Sequence, residues 1–183
     1  YLYMSPRHKE ALAHLTFGLR ESGGFVMLTG EVGTGKTTVS RKLMQQLPDN
    51  TQVAMVLNPT LSAIELLATI CDELGIEYLY ERASLKYFEQ LRLLTNLETN
   101  REKLLKVVLI GQPELQLLLK RNELRQLAQR ITARYHLLPL TSGEVKAYIS
   151  HRLSVANGDS SIFSAGALGA VYQVTGGIPR VIN

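Results

Sequence analysis

Several kinds of residue are scarce in this chain of 183 residues, which contains one cysteine, Cys71, and no tryptophan. A single cysteine excludes an internal disulfide and favours a reducing compartment. The sequence has no run of about 18 consecutive apolar residues, so we expect no membrane-spanning helix. It also lacks an initiator methionine and ends abruptly at Asn183, which favours an excerpt of a longer protein.

Charge of one sign is not concentrated anywhere in the chain. The net charge is +4 and the isoelectric point is near 9.2. The basic residues are scattered and form no stripe, which favours a solvated surface over a nucleic-acid-binding face. A composition of 45% hydrophobic and 20% charged residues is ordinary for a globular protein. The length suits one α/β domain with a small satellite.

The strongest motif is the segment Gly30–Thr37, which matches the pattern G-x-x-x-x-G-K-[ST]. An apolar run, Phe25–Thr29, precedes this segment, and a helical pattern follows it. A strand, a loop of this pattern and a helix in succession are typical of a phosphate-binding loop. This context disfavours the alternative interpretation, a glycine-rich turn without a ligand.

Each residue type in this motif has a chemical reason. Gly33 and Gly35 allow successive backbone N–H groups to turn inward around phosphate oxygens. Lys36 is placed to reach the β- and γ-phosphates, and the hydroxyl of Thr37 is placed to ligate Mg²⁺. The positive end of the following helix dipole faces the triphosphate. The motif therefore predicts a site for a nucleoside triphosphate with Mg²⁺.

The remaining patterns predict an α/β body followed by a helical region. Apolar runs bounded by turn residues predict further strands at Val53–Leu57, Val107–Ile110 and Tyr135–Leu140. From Thr141, which can form a capping box with Glu144, only helical patterns follow. We therefore predict an α/β nucleotide-binding domain over residues 1–140, with a parallel sheet flanked by helices, and a helical domain over residues 141–183.

One element expected beside a phosphate loop is missing. A hydrolytic site of this kind needs an Asp, often with a Glu, at the end of an apolar strand, and the sequence has no such strand. The pair Asp72 and Glu73 lies in a helical pattern, so we expect it on a helix surface. Either the hydrolytic site is degenerate, or a segment that carries this strand is missing near residues 84–89. Omitting an interior strand would leave backbone groups unpaired on both neighbours, which favours a missing segment.

Five short motifs in order resemble the AAA+ ATPase domain of general secretion pathway protein A. They are Gly30–Thr38, Leu91–Thr99, Gly111–Leu115, Gln129–Ile131 and Gly177–Asn183. This family includes the ExeA-type proteins of type II secretion and has close relatives in pilus biogenesis. The resemblance implies a P-loop NTPase fold of the AAA+ type with a helical lid, and it implies ATP and Mg²⁺ as ligands.

The resemblance also implies roles for residues beyond the loop. Gln112 matches the sensor-1 position, where a polar side chain touches the γ-phosphate or the attacking water; the alternative is a turn residue. Arg130 matches the arginine finger, which a subunit of a homo-oligomer offers to its neighbour's γ-phosphate, with Arg134 as second choice. Arg180 matches sensor 2, which reaches the phosphates from the lid. The alternatives are a surface arginine for Arg130 and a capping group for Arg180.

These implied roles give one set of candidate site residues. The catalytic candidates are Lys36, Gln112, Arg130 and Arg180. The nucleotide-binding candidates are Glu31, Val32, Gly33, Thr34, Gly35, Lys36, Thr37, Thr38 and Arg180, with Thr37 as metal ligand. Tyr3 and Met4 are weaker candidates for contact with the base, and Asn96 and Glu98 for approach to the site. We interpret the four histidines as structural, because they show no metal-ligand spacing: His8, His14, His136 and His151.

The resemblance places this module on the cytoplasmic face of the bacterial inner membrane. There it would work with a B-type membrane partner to assemble a secretin across the peptidoglycan, which it would contact only through regions outside this sequence. Three alternatives stay open: a pilus-biogenesis ATPase, a DNA-binding AAA+ regulator of the transposition-helper type, and a nucleotide switch that does not hydrolyse.

Overall fold

The computed structural model of the chain describes residues 3–20, 25–56, 63–75, 106–120 and 125–183. Contacts divide the chain into two compact units, one made of Tyr1–Gln46 with Val107–Asn183 and the other of Leu47–Lys106. The phosphate-binding motif and the helical region after residue 140 both belong to the first unit. The predicted break near residues 84–89 and the motif over residues 91–99 lie outside the described residues.

A three-stranded parallel sheet forms the centre of the first unit. Its strands are β1 (Phe25–Gly30), β2 (Val107–Gly111) and β3 (Ile131–Leu137), in the order β2-β1-β3. Every residue of β1 is buried, as expected for a central parallel strand with both faces covered. These parallel strands confirm the predicted fold class.

The two faces of this sheet carry different apolar clusters. Helices α1 (Pro6–Arg20) and α2 (Lys36–Met44) cover one face. The cluster on their side is formed by Ala11, Leu12, Leu15, Val26, Leu28, Val39, Leu43 and Leu137. The second cluster is formed by Phe25, Met27, Leu119 and Ile131. Alternate residues of β1 enter different clusters because side chains along a strand point to opposite faces.

The strands on either side of β1 show where sequence patterns lose precision. We predicted the last strand at residues 135–140, but β3 pairs with β1 from Ile131 to Leu137. β1 ends at Gly30, where the phosphate loop begins, so Leu138 and the residues after it have no strand beside them on this side. β2 lies where the sequence predicted it, yet Ile110 is 40% exposed, because β2 forms one edge of the described sheet.

Helices form the rest of the first unit. They are α4 (Glu114–Leu118) and α5 (Arg125–Gln129) between β2 and β3, then α6 (Ser142–Val155), a 3₁₀ turn (Ser160–Ile162), α7 (Ala165–Thr175) and α8 (Pro179–Ile182). The capping box predicted at the start of α6 is confirmed: the Glu144 amide donates to Thr141 Oγ1 at 3.3 Å, and the Thr141 amide donates to Glu144 Oε2 at 2.8 Å. No helix among the described residues is long and apolar enough to cross a membrane.

The second unit contains one described helix, α3 (Ala63–Glu73). Asp72 and Glu73 are exposed on it, as predicted. The strand predicted at residues 53–57 is wrong for residues 53–56, which have no regular structure, and residue 57 lies outside the described part. A strand requires a paired neighbour, whereas the amide of Met55 donates to the Oε2 atom of Glu73 at 3.3 Å.

Candidate nucleotide site

The phosphate loop connects β1 to α2 through a tight turn. Gly33 has a φ of 83° and Gly35 a φ of 101°, and residues with a Cβ rarely adopt these values. α2 begins at Lys36, so the first N–H groups of this helix have no partner within it. The loop and the helix start together present a row of backbone donors suited to an anion.

Lys36 is bonded to the backbone of its own loop. Its Nζ atom donates to the carbonyl oxygens of Gly30 and Glu31, both at 2.8 Å. Burial lowers the pKa of Lys36, and the negative charge of Glu31 opposes this shift. A triphosphate would offer the ammonium group a charged acceptor in addition to two neutral carbonyls, and charge-assisted bonds are the stronger kind.

A cavity of about 440 Å³ brings the loop together with the chain's N-terminal segment and the helical region. The described residues lining it are Tyr3, His8, Gly33, Gly35, Lys36, Thr37, Thr38, Tyr148, Arg152, Pro179, Arg180 and Asn183. Most of the predicted nucleotide contacts are therefore in one place. Of the others, Glu31 and Val32 are exposed, and Thr34 is buried with its Oγ1 donating to the Glu31 carbonyl at 2.9 Å.

Arg180 meets the loop through its backbone. Its amide donates to the carbonyl of Gly33 at 3.3 Å. A Cβ on Gly33 would lie 2.6 Å from the Cβ of Arg180 and 3.0 Å from Cγ2 of Ile178. The predicted sensor-2 residue is thus held against the phosphate loop, and its side chain borders the same cavity as Lys36.

Aromatic side chains border the part of the cavity formed by α6. The rings of Tyr3 and Tyr148 make an edge contact with centroids 5.4 Å apart, and the Tyr148 hydroxyl donates to Asn183 Oδ1 at 2.8 Å. Burial and the charge of Glu144 raise the pKa of Tyr3. Met4, the other predicted base contact, packs instead against the apolar cluster beneath α1 and α2.

The remaining catalytic candidates lie away from this cavity. Gln112 is exposed directly after β2, and it is not among the described residues that line the cavity. Arg130 is half-buried between α5 and β3. Arg134 lies on β3 and donates to the carbonyl of Ala128 at 2.5 Å. The arginine-finger role of Arg130 concerns a neighbouring subunit and stays a prediction.

The structure adds a polar cluster that the sequence did not indicate. Gln116 on α4 donates to Thr29 Oγ1 at 2.6 Å, and Thr29 Oγ1 lies 3.0 Å from Nδ1 of His136. Thr29 is fully buried and directly precedes the phosphate loop. The three residues are 20 to 107 positions apart in sequence, so only the fold brings them together.

The residues present fit a triphosphate. The cradle contains two glycines whose Cβ atoms would collide with neighbouring side chains, and the cations Lys36, Arg152 and Arg180 border it. Thr37 borders the cavity too, and its hydroxyl would hold Mg²⁺ there. The described residues include no cluster of three or more acidic, histidine or cysteine ligands, and Asn96 and Glu98 lie outside the described part.

Comparisons with known proteins agree with this geometry. The family profile described as AAA domain matches residues 19–85, which include the phosphate loop. The crystal structure of Cdc6p from Pyrobaculum aerophilum superposes with a TM-score of 0.57 at 18% identity, over 85% of this chain and 52% of that one. The chain therefore has a P-loop NTPase fold of the AAA+ type.

The particular family follows from a closer relative. General secretion pathway protein A of Aeromonas hydrophila is 53% identical to this chain over 216 aligned residues. The chain is an AAA domain of the general secretion pathway protein A type. The alignment includes 100% of this chain but 39% of the relative. Because the aligned region is longer than the 183 residues of this chain, the relative has residues within it that have no counterpart here.

Proposed function

We propose that this chain is the ATP-binding and ATP-hydrolysing module of a secretion assembly protein. The observation that supports this most directly is the cavity in which the phosphate loop, Lys36, Thr37 and Arg180 meet. The 53% identity to general secretion pathway protein A supports the secretion role. In that role the module lies on the cytoplasmic face of the inner membrane and, with a B-type partner, helps to assemble a secretin across the peptidoglycan.

The shape of the cavity suggests how ATP is oriented. The triphosphate lies along the loop and the start of α2, and the base lies toward Tyr3 and Tyr148. An aromatic edge and the nearby Asn183 amide suit a purine ring, which offers both an apolar face and hydrogen-bonding groups.

The proposed reaction is attack of water on the γ-phosphorus. The bond from this phosphorus to the β,γ-bridging oxygen breaks, giving ADP and phosphate. Lys36 stabilises the charge that develops on the phosphate oxygens. Arg180 contacts the γ-phosphate from the helical lid, so the position of the lid depends on whether the γ-phosphate is present. The Thr37 hydroxyl would hold Mg²⁺, which would supply positive charge near the β- and γ-phosphates. Gln112 would orient the attacking water, and Arg130 would act on the neighbouring subunit of a homo-oligomer.

The acidic strand needed for hydrolysis belongs, in this proposal, to a segment missing near residues 84–89. Two observations support it. The apolar strand β2 is left half-buried at an edge of the described sheet, where a further strand would cover it. The alignment with the secretion relative is longer than this chain. Mass spectrometry of the encoded protein tests this point, because a peptide that runs directly from Tyr87 to Phe88 would contradict it.

The substitution Lys36→Ala tests the site itself. We expect Mg²⁺-ATP affinity to fall by about tenfold or more, since a charge-assisted bond is lost, and phosphate release to stop. Lys42→Ala is the matched control: Lys42 lies on the same helix, is not among the described residues that line the cavity, and donates from Nζ to Gln45 Oε1 at 3.3 Å. Unchanged binding in Lys36→Ala would refute the site. Binding without phosphate release in the wild type would instead indicate a nucleotide switch.

Nucleic-acid binding, as in transposition-helper ATPases, is a second candidate function. One observation favours it: Lys120, Arg125 and Arg134 line an open cavity of about 370 Å³. DNA affinity that falls steeply between low and moderate salt would support this function. The full-length gene separates secretion from pilus biogenesis and transposition, since a membrane span and a peptidoglycan-binding region downstream are expected only for secretion.

A further inference from the structure

The first turn of α1 touches the phosphate loop through a buried histidine. His8 is 3% exposed, and its Nε2 atom lies 2.9 Å from the carbonyl oxygen of Thr34. Its Nδ1 atom lies 2.7 Å from Oγ of Ser5. Ser5 is fully buried and caps α1, because its Oγ accepts from the His8 amide at 3.3 Å.

The partners of this ring fix where its proton lies. A carbonyl oxygen can only accept, so Nε2 must carry the hydrogen that bonds to Thr34. The single hydroxyl proton of Ser5 has two acceptors within reach, Nδ1 of His8 and the carboxylate of Glu144. If it points to Nδ1, the ring is neutral; if it points to Glu144, Nδ1 must also be protonated. Nε2 donates to the loop in both arrangements.

The bond to Thr34 sets the direction of the next amide. A peptide unit is planar and trans, so the carbonyl of Thr34 and the N–H of Gly35 point in opposite directions. Holding the carbonyl outward, toward α1, therefore holds the Gly35 N–H toward the inside of the loop. The ring also fits closely, since a Cβ on Gly35 would lie 2.4 Å from Nε2.

We infer that His8 is a positioning residue of the nucleotide site: its ring orients the Thr34–Gly35 peptide so that the Gly35 amide faces the phosphates. This inference rests on the proposed nucleotide-binding function. It differs from the sequence-based interpretation of His8 as a structural residue, which predicts an effect on folding but none on phosphate recognition.

Three variants separate these possibilities. His8→Leu removes the donor and retains an apolar side chain, whereas His8→Gln keeps an amide N–H near the position of Nε2. His14→Leu is the matched control on the same helix, where His14 is exposed and contacts the ring of Tyr135. Mg²⁺-ATP affinity is measured by calorimetry, and the melting temperature without nucleotide reports folding.

We expect His8→Leu to weaken Mg²⁺-ATP binding about tenfold, and His8→Gln to weaken it by about threefold or less, because one bond of modest free energy is lost or kept. His14→Leu should bind as the wild type does. In ¹⁵N NMR spectra the Gly35 amide should shift on nucleotide addition in the wild type and in His8→Gln, and much less in His8→Leu.

Two outcomes would overturn the inference while leaving the proposed function intact. The first is wild-type affinity in His8→Leu. The second, which needs no variant, is a wild-type His8 ring whose Nε2 carries no proton in the NMR spectrum. A different outcome, in which the wild-type chain and Lys36→Ala both fail to bind Mg²⁺-ATP, would overturn the proposed function.

Discussion

The amide of Arg180 donates to the carbonyl oxygen of Gly33 at 3.3 Å, so the helical lid is attached directly to the backbone of the phosphate loop. Gly33 leaves just enough room for this contact, because a Cβ there would stand 2.6 Å from the Cβ of Arg180. Any movement of the lid helix α8 must therefore break or strain a loop bond. In the proposed function, this helical region would respond to the nucleotide through the backbone contact as well as through the arginine side chain.

Gly33→Ala should weaken both the fold and the site. The backbone angle alone, φ of 83°, costs a residue with a Cβ about 1–3 kcal/mol, and the collision with Arg180 adds to this cost. We expect a lower free energy of unfolding in urea and weaker Mg²⁺-ATP binding.

Gly169→Ala is the control for this change. Gly169 lies within α7, and a Cβ there meets nothing within 4 Å. We expect stabilisation by about 0.5–1 kcal/mol, since alanine favours a helix over glycine. Equal effects of the two substitutions would contradict the assigned role of Gly33.

The sequence predicted the phosphate loop and the cap of α6 well because both depend on neighbours in the chain. The glycine spacing of the loop and the Thr141–Glu144 pair are local patterns, and the structure shows the corresponding turn and both cap bonds. The residues that the sequence missed depend on distant partners. His8 meets Thr34 across 26 positions, and Gln116 meets Thr29 across 87, so nothing in the local pattern marks them.

Strand boundaries were harder to predict for a related reason. The apolar run at residues 135–140 looks like a strand, but the length of β1 decides which residues are paired. The run at residues 53–57 shows the same limit, because its described part lacks a strand and Val53 is 43% exposed. Apolar runs indicate a potential to pair, and the partner strand determines whether and where pairing occurs.

His8 should make stability depend on pH. Burial lowers its pKa, while the bond to Thr34 and the charge of Glu144 oppose this shift. A histidine with a lowered pKa binds its proton more readily in the unfolded chain. Its contribution to stability is therefore present above the ordinary pKa of 6.5 and is lost as the pH falls through the folded pKa.

Urea unfolding at pH 7.5 and pH 5 measures this dependence. The free energy of unfolding should fall more in the wild type than in His8→Gln, which has no group titrating at this position. Parallel pH profiles for the two proteins would show that the ring of His8 is not the source.

Glu144→Gln should destabilise the lid. The carboxylate accepts from the amide and the hydroxyl of Thr141, at 2.8 and 2.9 Å. Burial raises its pKa, but the bonds from Thr141 and the charge of Arg7 outweigh burial, so the net shift is downward. A lowered carboxylate pKa stabilises the protein above the unfolded pKa, and this stability is lost in acid as the pH falls through the folded pKa.

We expect Glu144→Gln to cost about 1 kcal/mol at neutral pH, a typical value for a weakened helix cap. The substitution should also make the free energy of unfolding fall less steeply as the pH is lowered into the acid range. Asp72→Asn, at an exposed position of α3, is the control and should change stability by less than about 0.5 kcal/mol. If both variants follow the wild-type profile, the capping box does not stabilise α6.

Gln116→Leu and Gln112→Leu should affect different properties although both residues lie next to β2. We expect the first to lower stability and the second to lower phosphate release. Gln116→Leu removes the amide donor of the buried Thr29 hydroxyl, which keeps its contact with His136, so we expect a loss of about 0.5–1.5 kcal/mol in the free energy of unfolding. Gln112 is exposed, so Gln112→Leu should leave stability within about 0.5 kcal/mol. If Gln112 has the proposed sensor-1 role, this substitution should also lower phosphate release. A loss of stability in Gln112→Leu with normal phosphate release would reverse these assignments.

Arg130 should act on a neighbouring subunit, which a mixing experiment can show. Arg130→Ala retains the residues of its own cavity, so it should bind Mg²⁺-ATP normally and release little phosphate. Lys36→Ala has a defective cavity but an intact Arg130. If the arginine acts between subunits, some interfaces in a mixture of the two inactive proteins join an intact cavity of one subunit to an intact Arg130 of its neighbour. For random assembly in pairs of neighbours, phosphate release should recover to about a quarter of the wild-type rate.

Arg134→Ala mixed with Lys36→Ala serves as the comparison, because Arg134 is the second choice for the finger and its guanidinium is already bonded to the Ala128 carbonyl. Recovery that depends on total protein concentration would support the finger, whereas an Arg130→Ala protein with full activity on its own would exclude Arg130 from the reaction.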